Sequence, residues 1–172
     1  MVFYSHFFLI FFAALRVHAS GSEFDLSKSS VINYSNSMIG GHTVSGVVKE
    51  SLPLDEVVFE ISCKTRRSSG RFFEVNLSHN FIDDQAAPSL VELGSLPLKR
   101  LDLSFNHLGS VGIRKVLESF QQLLCYNSNF TYLDLLGNPG ATPFHVKLYA
   151  KEILGQAASA ATLETMIGKI RC

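Results

Sequence analysis

The sequence predicts an α/β chain assembled from strand–helix units, and three observations carry that prediction. In "LKRLDLSFNHL" (Leu98 to Leu108), apolar and polar side chains alternate as on a half-buried strand, and then Asn106 interrupts. Two other segments repeat that spacing. "FFEVNLSHNFI" sets Phe72, Val75, Leu77, Asn80 and Ile82 where the first has Leu98, Leu101, Leu103, Asn106 and Leu108. "FTYLDLLGNPG" supplies Phe130, Leu133, Leu135 and Asn138, with Gly140 in the last apolar place. Each copy is followed by apolar residues at helical spacing.

The helices follow from the stretches after each asparagine. After Asn106, residues Ile113, Val116, Leu117 and Phe120 fall at i, i+3, i+4 and i+7, an amphipathic helix of about three turns. After Asn80, Asp83 or Asp84 can act as N-cap, with Ala87, Leu90 and Leu93 facing inward. After Asn138, Thr142 is the N-cap and Pro143 the first helical residue, while Val146, Ala150, Ile153 and Leu154 face inward.

Upstream, "LDEVVFEISC" (Leu54 to Cys63) keeps Leu54, Val57 and Phe59 in phase but has Ser62 where the asparagine belongs. It reads as a degenerate first repeat or a capping strand. Residues 20–53, rich in Ser, Gly and Asn, show no clear period and read as a leader or cap. "AASAATLETMIGKI", within 156–172, reads as a closing C-terminal helix. Terminal units must differ from internal ones, because the open end of a repeat stack exposes core. The expected layout is therefore 1–19 signal, 20–53 leader or cap, 54–155 repeats and 156–172 C-terminal cap or tail.

The shared pattern, L-x-x-L-x-L-x-x-N-x-L, resembles a leucine-rich repeat, and it covers residues 72 to about 155, half the chain. The asparagines are 26 and then 32 residues apart, and repeats this long with a true helix resemble the ribonuclease-inhibitor-like class. The resemblance implies a short horseshoe-shaped solenoid, with parallel strands on a concave face and helices on the convex one. It also implies a binding module without catalytic activity, whose partner is another protein. Alternation along the strands then lays out the concave surface in columns. Glu74, Arg100 and Tyr132 form the first, Asn76, Asp102 and Asp134 the second, and Ser78, Ser104 and Leu136 the third. Glu56, Val58 and Glu60 extend it if Leu54–Cys63 is a strand. The partner-binding candidates are Glu74, Asn76, Arg100, Asp102, Ser104, Tyr132 and Asp134, on a face that leans acidic with Tyr132 as aromatic anchor. Asn80, Asn106 and Asn138 are expected to stack as a buried ladder, their amides bonding backbone groups that the sharp turn leaves without strand partners.

Charge excludes some partners. Lys+Arg and Asp+Glu number 15 each in 172 residues, so there is no bulk field to attract nucleic acid or an anionic membrane. The knot Lys64, Arg66 and Arg67 reads as a solvated loop. The first nineteen residues hold an apolar block, Phe7 to Leu15, too short to span a bilayer. Val17-His18-Ala19 follows with small residues at −3 and −1, which fits a secretory signal cut after Ala19 and leaves no stable membrane span. An uncleaved anchor and an organellar presequence are the alternatives.

Asn33, Asn76 and Asn129 head Asn-X-Ser/Thr sequons, relevant if the chain enters the secretory lumen. A glycan at Asn76 would crowd the concave face. Of Cys63, Cys125 and Cys172, an odd set, at least one is unpaired; whether Cys63 and Cys125 pair stays open, and Cys172 is the candidate free thiol.

No nucleophile elbow, Walker loop, dinucleotide fingerprint or H-E-x-x-H helix is present, and no cysteine–histidine spacing resembles a zinc site. Gly109 and Gly112 occupy turn positions, His79 and His107 read as loop residues, and capping accounts for Asp83 and Asp84. No cofactor, metal or catalytic residue is expected. Three functions stay open: a secreted or surface-associated recognition protein, a structural subunit of a larger assembly, an organellar one included, and a regulator of the cytosolic type.

Overall fold

A computed structural model describes residues 31–40, 52–67, 72–155 and 160–172. The expected signal at 1–19 and much of the 20–53 leader lie outside those residues. Among the described residues, the chain runs β1 (Val31–Asn33), α1 (Leu54–Arg66), β2 (Phe73–Asn76), a 3₁₀ helix (Ala87–Ser95), β3 (Leu98–Asp102), α2 (Ser110–Ser119), α3 (Gln121–Tyr126), β4 (Tyr132–Asp134), α4 (Pro143–Leu154), α5 (Ala160–Ile167) and β5 (Ile170–Arg171). The five strands form one all-parallel sheet in chain order.

One row of side chains crosses the whole sheet: Ile32, Val75, Leu101, Leu133 and Ile170 are partners in register. The first four are almost wholly buried, as are Leu77, Leu103 and Leu135 one step on. Each fully buried leucine contributes about 2 kcal/mol of hydrophobic stabilisation. The helical layer closes the core from the other side. Ile113, Val116, Leu117 and Phe120 are completely buried, and Val146, Ala150 and Leu154 match them in the next unit. Thr142 caps α4 as its sequence suggests, accepting the His145 N–H at 3.2 Å, with Pro143 at the first helical position.

Four elements differ from expectation. Leu54–Cys63, expected as a strand, belongs to α1. Its buried residues Leu54, Val57, Val58, Ile61, Ser62 and Thr65 follow a helical period, with Asp55 and Glu56 in the first turn and Lys64 and Arg66 in the last. Glu56, Val58 and Glu60 therefore do not extend the sheet surface; Val58 is in the core and Phe59 points out, 58% exposed. The basic knot is the end of this helix rather than a free loop: Lys64 pairs with Glu60 at 2.7 Å and Arg66 with Glu92 at 3.4 Å.

The edge strand of the first unit instead lies within the residues read as a leader, at Val31–Asn33. Tyr34 and Asn36 bond the next strand as Leu77 and His79 bond theirs, so Ser37 stands where later units have asparagine. Tyr34 thus takes a core position at the end of the stack, where a leucine would be half wet. Its hydroxyl reaches the Glu60–Lys64 pair, accepting from Lys64 at 3.0 Å.

The segment after Asn80 forms a 3₁₀ helix rather than an α-helix. Ala87, Leu90 and Leu93 are buried at a spacing of three, the period at which 3₁₀ side chains eclipse. Gly94 lets this helix approach α2; a Cβ there would lie 2.4 Å from the Ser119 carbonyl oxygen. At the C-terminal end, α5 is followed by β5, which extends the sheet past the helix expected there.

Candidate functional site

The asparagines that interrupt the strands are buried, with Asn80 2%, Asn106 3% and Asn138 6% exposed. Asn106 Nδ2 donates to the carbonyls of Leu103 in its own turn and Leu77 in the preceding one, both at 3.0 Å. Its Oδ1 accepts the Ile82 N–H at 3.1 Å. Asn138 repeats this one unit on, donating to Leu135 and Leu103 and accepting from Leu108 N–H. Asn80 donates to Leu77 and Tyr34 and accepts from both Ser37 and Ile39 N–H. Every amide group faces backbone, so these residues are scaffold.

Adjacent turn positions carry strain that the ladder helps to hold. Asn36, His79, Phe105 and Gly137 all have φ between 53° and 75°, in the left-handed region. The side chains there and at the positions after the asparagines form stacks: His79 on Phe105 at 4.6 Å and Phe81 on His107 at 5.7 Å. Phe81 and Phe105 are 40% and 48% exposed. Nothing in the strand pattern marked this rim of rings, since its register depends on two separate turns.

On the solvent face of the sheet, register places Glu74, Arg100 and Tyr132 in one column and Asn33, Asn76, Asp102 and Asp134 in the next. The second column is largely occupied by local bonds. The side-chain oxygens of Asn33, Asn76, Asp102 and Asp134 each accept the N–H two residues on, closing Asx turns as the strands end. Ser104 also donates its hydroxyl to Asp102 at 2.6 Å, and both Ser104 and Asp134 are buried. Two of the seven candidates are thus withdrawn from direct contact. Glu74, Asn76, Asp102 and Tyr132 are partly exposed and Arg100 is exposed.

The first column brings charged and aromatic side chains together in the open. The Arg100 guanidinium lies 5.1 Å from the Tyr132 ring centroid and 3.7 Å from Glu74, which Lys99 also approaches at 3.5 Å. From β5, Arg171 reaches Asp134 and the Tyr132 hydroxyl, each at 3.4 Å. The face is therefore a network of paired charges around a tyrosine rather than acidic. Arg171 was not legible as a member, because β5 lacks the asparagine that revealed its sister strands.

Other candidates resolve as structure. Asp83 accepts the N–H groups of Gln85 and Ala86, capping its own segment. Asp84 reaches into the next unit, where its Oδ1 accepts Gly109 N–H at 2.7 Å and Gly112 N–H at 2.8 Å, at the start of α2. All three cysteines are free thiols, and burial raises the pKa of Cys125 and Cys172, which keeps them protonated. Among the described residues, no three His, Cys, Asp or Glu side chains converge as a metal-holding group.

A family model described as Leucine Rich repeat matches residues 94–117, which take in β3, the Asn106 turn and most of α2. That segment is a leucine-rich repeat. No curated protein and no solved structure matches it. The matched leucine-rich repeat contains Arg100, Asp102, Ser104 and Asn106, so the central ladder rung and the middle of the exposed column lie in the segment with the strongest family character. Among the described residues, no helix is long and apolar enough to cross a membrane.

Proposed function

We propose that this protein is a non-catalytic recognition module, a short solenoid of the ribonuclease-inhibitor-like class, secreted or surface-associated. It binds a protein partner through the solvent face of its parallel sheet. The observation that supports this reading most is the Arg100–Tyr132 stack. A planar cation and an aromatic ring stand together, partly exposed, at the middle of the sheet, with Glu74 and Asp134 as counter-charges. Arginine and tyrosine offer large contact area at modest entropic cost, and residues of these types dominate interface energetics. The paired charges favour a polar partner surface over a uniformly basic or acidic one. Secretion is supported by the apolar leader ending in Val17-His18-Ala19.

The rim formed by His79, Phe81, Phe105 and His107 is the competing surface, favoured by two half-exposed phenylalanines. Both are tested by a pull-down from the native source with four variants. Loss of the partner with Tyr132→Ala and Arg100→Glu, and its retention with Phe81→Ala and Phe105→Ala, supports the sheet face. The reverse pattern moves the site to the rim, and retention by both sheet variants rejects the proposal. N-terminal sequencing that begins at Ser20 supports secretion, whereas an intact Met1 favours the assembly-subunit or cytosolic readings.

A further inference from the structure

We infer that Asn129 carries an N-linked oligosaccharide whose first sugars lie in the groove between Phe72 and Tyr126, an inference that rests on the secretory reading above. The groove runs along the edge where the strands begin, and Phe72, Leu96, Pro97, Tyr126 and Asn129 help to line it. Asn129 heads the sequon Asn129-Phe130-Thr131 in the loop between α3 and β4. Phe130 is completely buried, which anchors the middle of the sequon and leaves Asn129 and Thr131 exposed on either side. The loop is held in place: the Asn129 N–H donates to Asn127 Oδ1 at 2.9 Å, and the Thr131 hydroxyl donates to the Lys99 carbonyl at 3.1 Å.

The chemistry of the groove suits a sugar. Phe72 is 38% and Tyr126 69% exposed, leaving large aromatic surface in water at its walls. The apolar C–H face of a pyranose ring covers such surface while its hydroxyls reach Gln122, Asn127 and Ser128 in the same groove. The other two sequons are placed differently. Asn33 and Asn76 are register partners on the sheet face, and each side-chain oxygen closes its own turn. A glycan on either would cover the proposed partner surface; one on Asn129 leaves that face open.

The modification balances as an ordinary transfer from a lipid-linked oligosaccharide diphosphate. The Asn129 amide nitrogen bonds to the anomeric carbon of the reducing-end N-acetylglucosamine. The bond from that carbon to the diphosphate oxygen breaks, the lipid diphosphate leaves with the electron pair, and the amide gives up one proton.

The test sends the full-length chain into the lumen behind a cleavable heterologous secretory signal, so that it does not depend on the native leader. Glycopeptide mapping is expected to find Asn129 occupied. Tyr126 is then expected to be nitrated by tetranitromethane several-fold more slowly than in the enzymatically deglycosylated chain or in Thr131→Ala, each checked for folding by circular dichroism. An unoccupied Asn129 in the luminal chain overturns the inference, and so does an occupied Asn129 with unchanged Tyr126 reactivity. The secretory reading is decided separately, by the N-terminus of the native protein.

Discussion

Replacing Asn106 by leucine tests the ladder most directly, because the structure says which groups lose what. The Leu77 carbonyl accepts from Asn80 as well as from Asn106, and the Leu103 carbonyl accepts from Asn138 as well. Both keep one donor in Asn106→Leu. The Ile82 N–H has no such second partner; it loses the Asn106 oxygen in a site only 3% exposed. An orphaned buried N–H costs about 1–3 kcal/mol, and weakening the two shared carbonyls adds about 1 kcal/mol. The expected loss is about 2–4 kcal/mol, a fall in melting temperature on the order of 10 °C for a chain of this size. Urea unfolding followed by circular dichroism reads it. Asn106→Asp sharpens the test: it keeps an acceptor for Ile82 but sets a carboxylate against two carbonyl oxygens. It should therefore be less stable than Asn106→Leu at neutral pH and recover as acid protonates it. A loss below about 0.5 kcal/mol in Asn106→Leu, or loss of partner binding without loss of stability, would refute the scaffold assignment.

Asp84→Ala is expected to cost about 1–2 kcal/mol, as losing an N-cap does, and to raise hydrogen exchange at Gly109 and Gly112 rather than at Gln85. Gly140→Ala should destabilise more than Gly137→Ala by urea midpoint. A Cβ at Gly140 would lie 2.2 Å from the backbone carbon of Gly109, which must shift with its whole turn, whereas at Gly137 alanine incurs about 1–2 kcal/mol of left-handed strain and meets the Phe105 side chain. At the first edge, burial alone would raise the Glu60 pKa, but hydrogen bonds with Lys64 and Tyr34 outweigh it and hold the carboxyl below its usual value. A depressed folded-state pKa stabilises above the unfolded value, about 4.3, and that stability is lost as pH falls through the folded one. The stability gap between wild type and Glu60→Gln should therefore be present at pH 7 and close in the acid range.

The sequence by itself determined the repeating unit. An asparagine in register after alternating leucines specifies strand and turn, and the helical stripes after Asn106 and Asn138 specify what packs behind them, because both periods are local to one unit. It also ruled on the asparagines, since a turn at the end of a parallel strand needs an amide that can both donate and accept. What the sequence misassigned lies at the stack's ends. Val31–Ile39 carries Ser37 instead of the asparagine, and in Leu54–Cys63 a short apolar run fits a strand or a helix equally until neighbours choose. Only the tertiary structure decided that Asp84 caps a helix in the following unit, that Ser104 and Asp134 are buried by their neighbours, and that Arg171 joins Tyr132. The physical reason is the same throughout. Contacts within a unit are set by spacing along the chain, while contacts between units are set by how parallel strands stack, a register that no single segment contains.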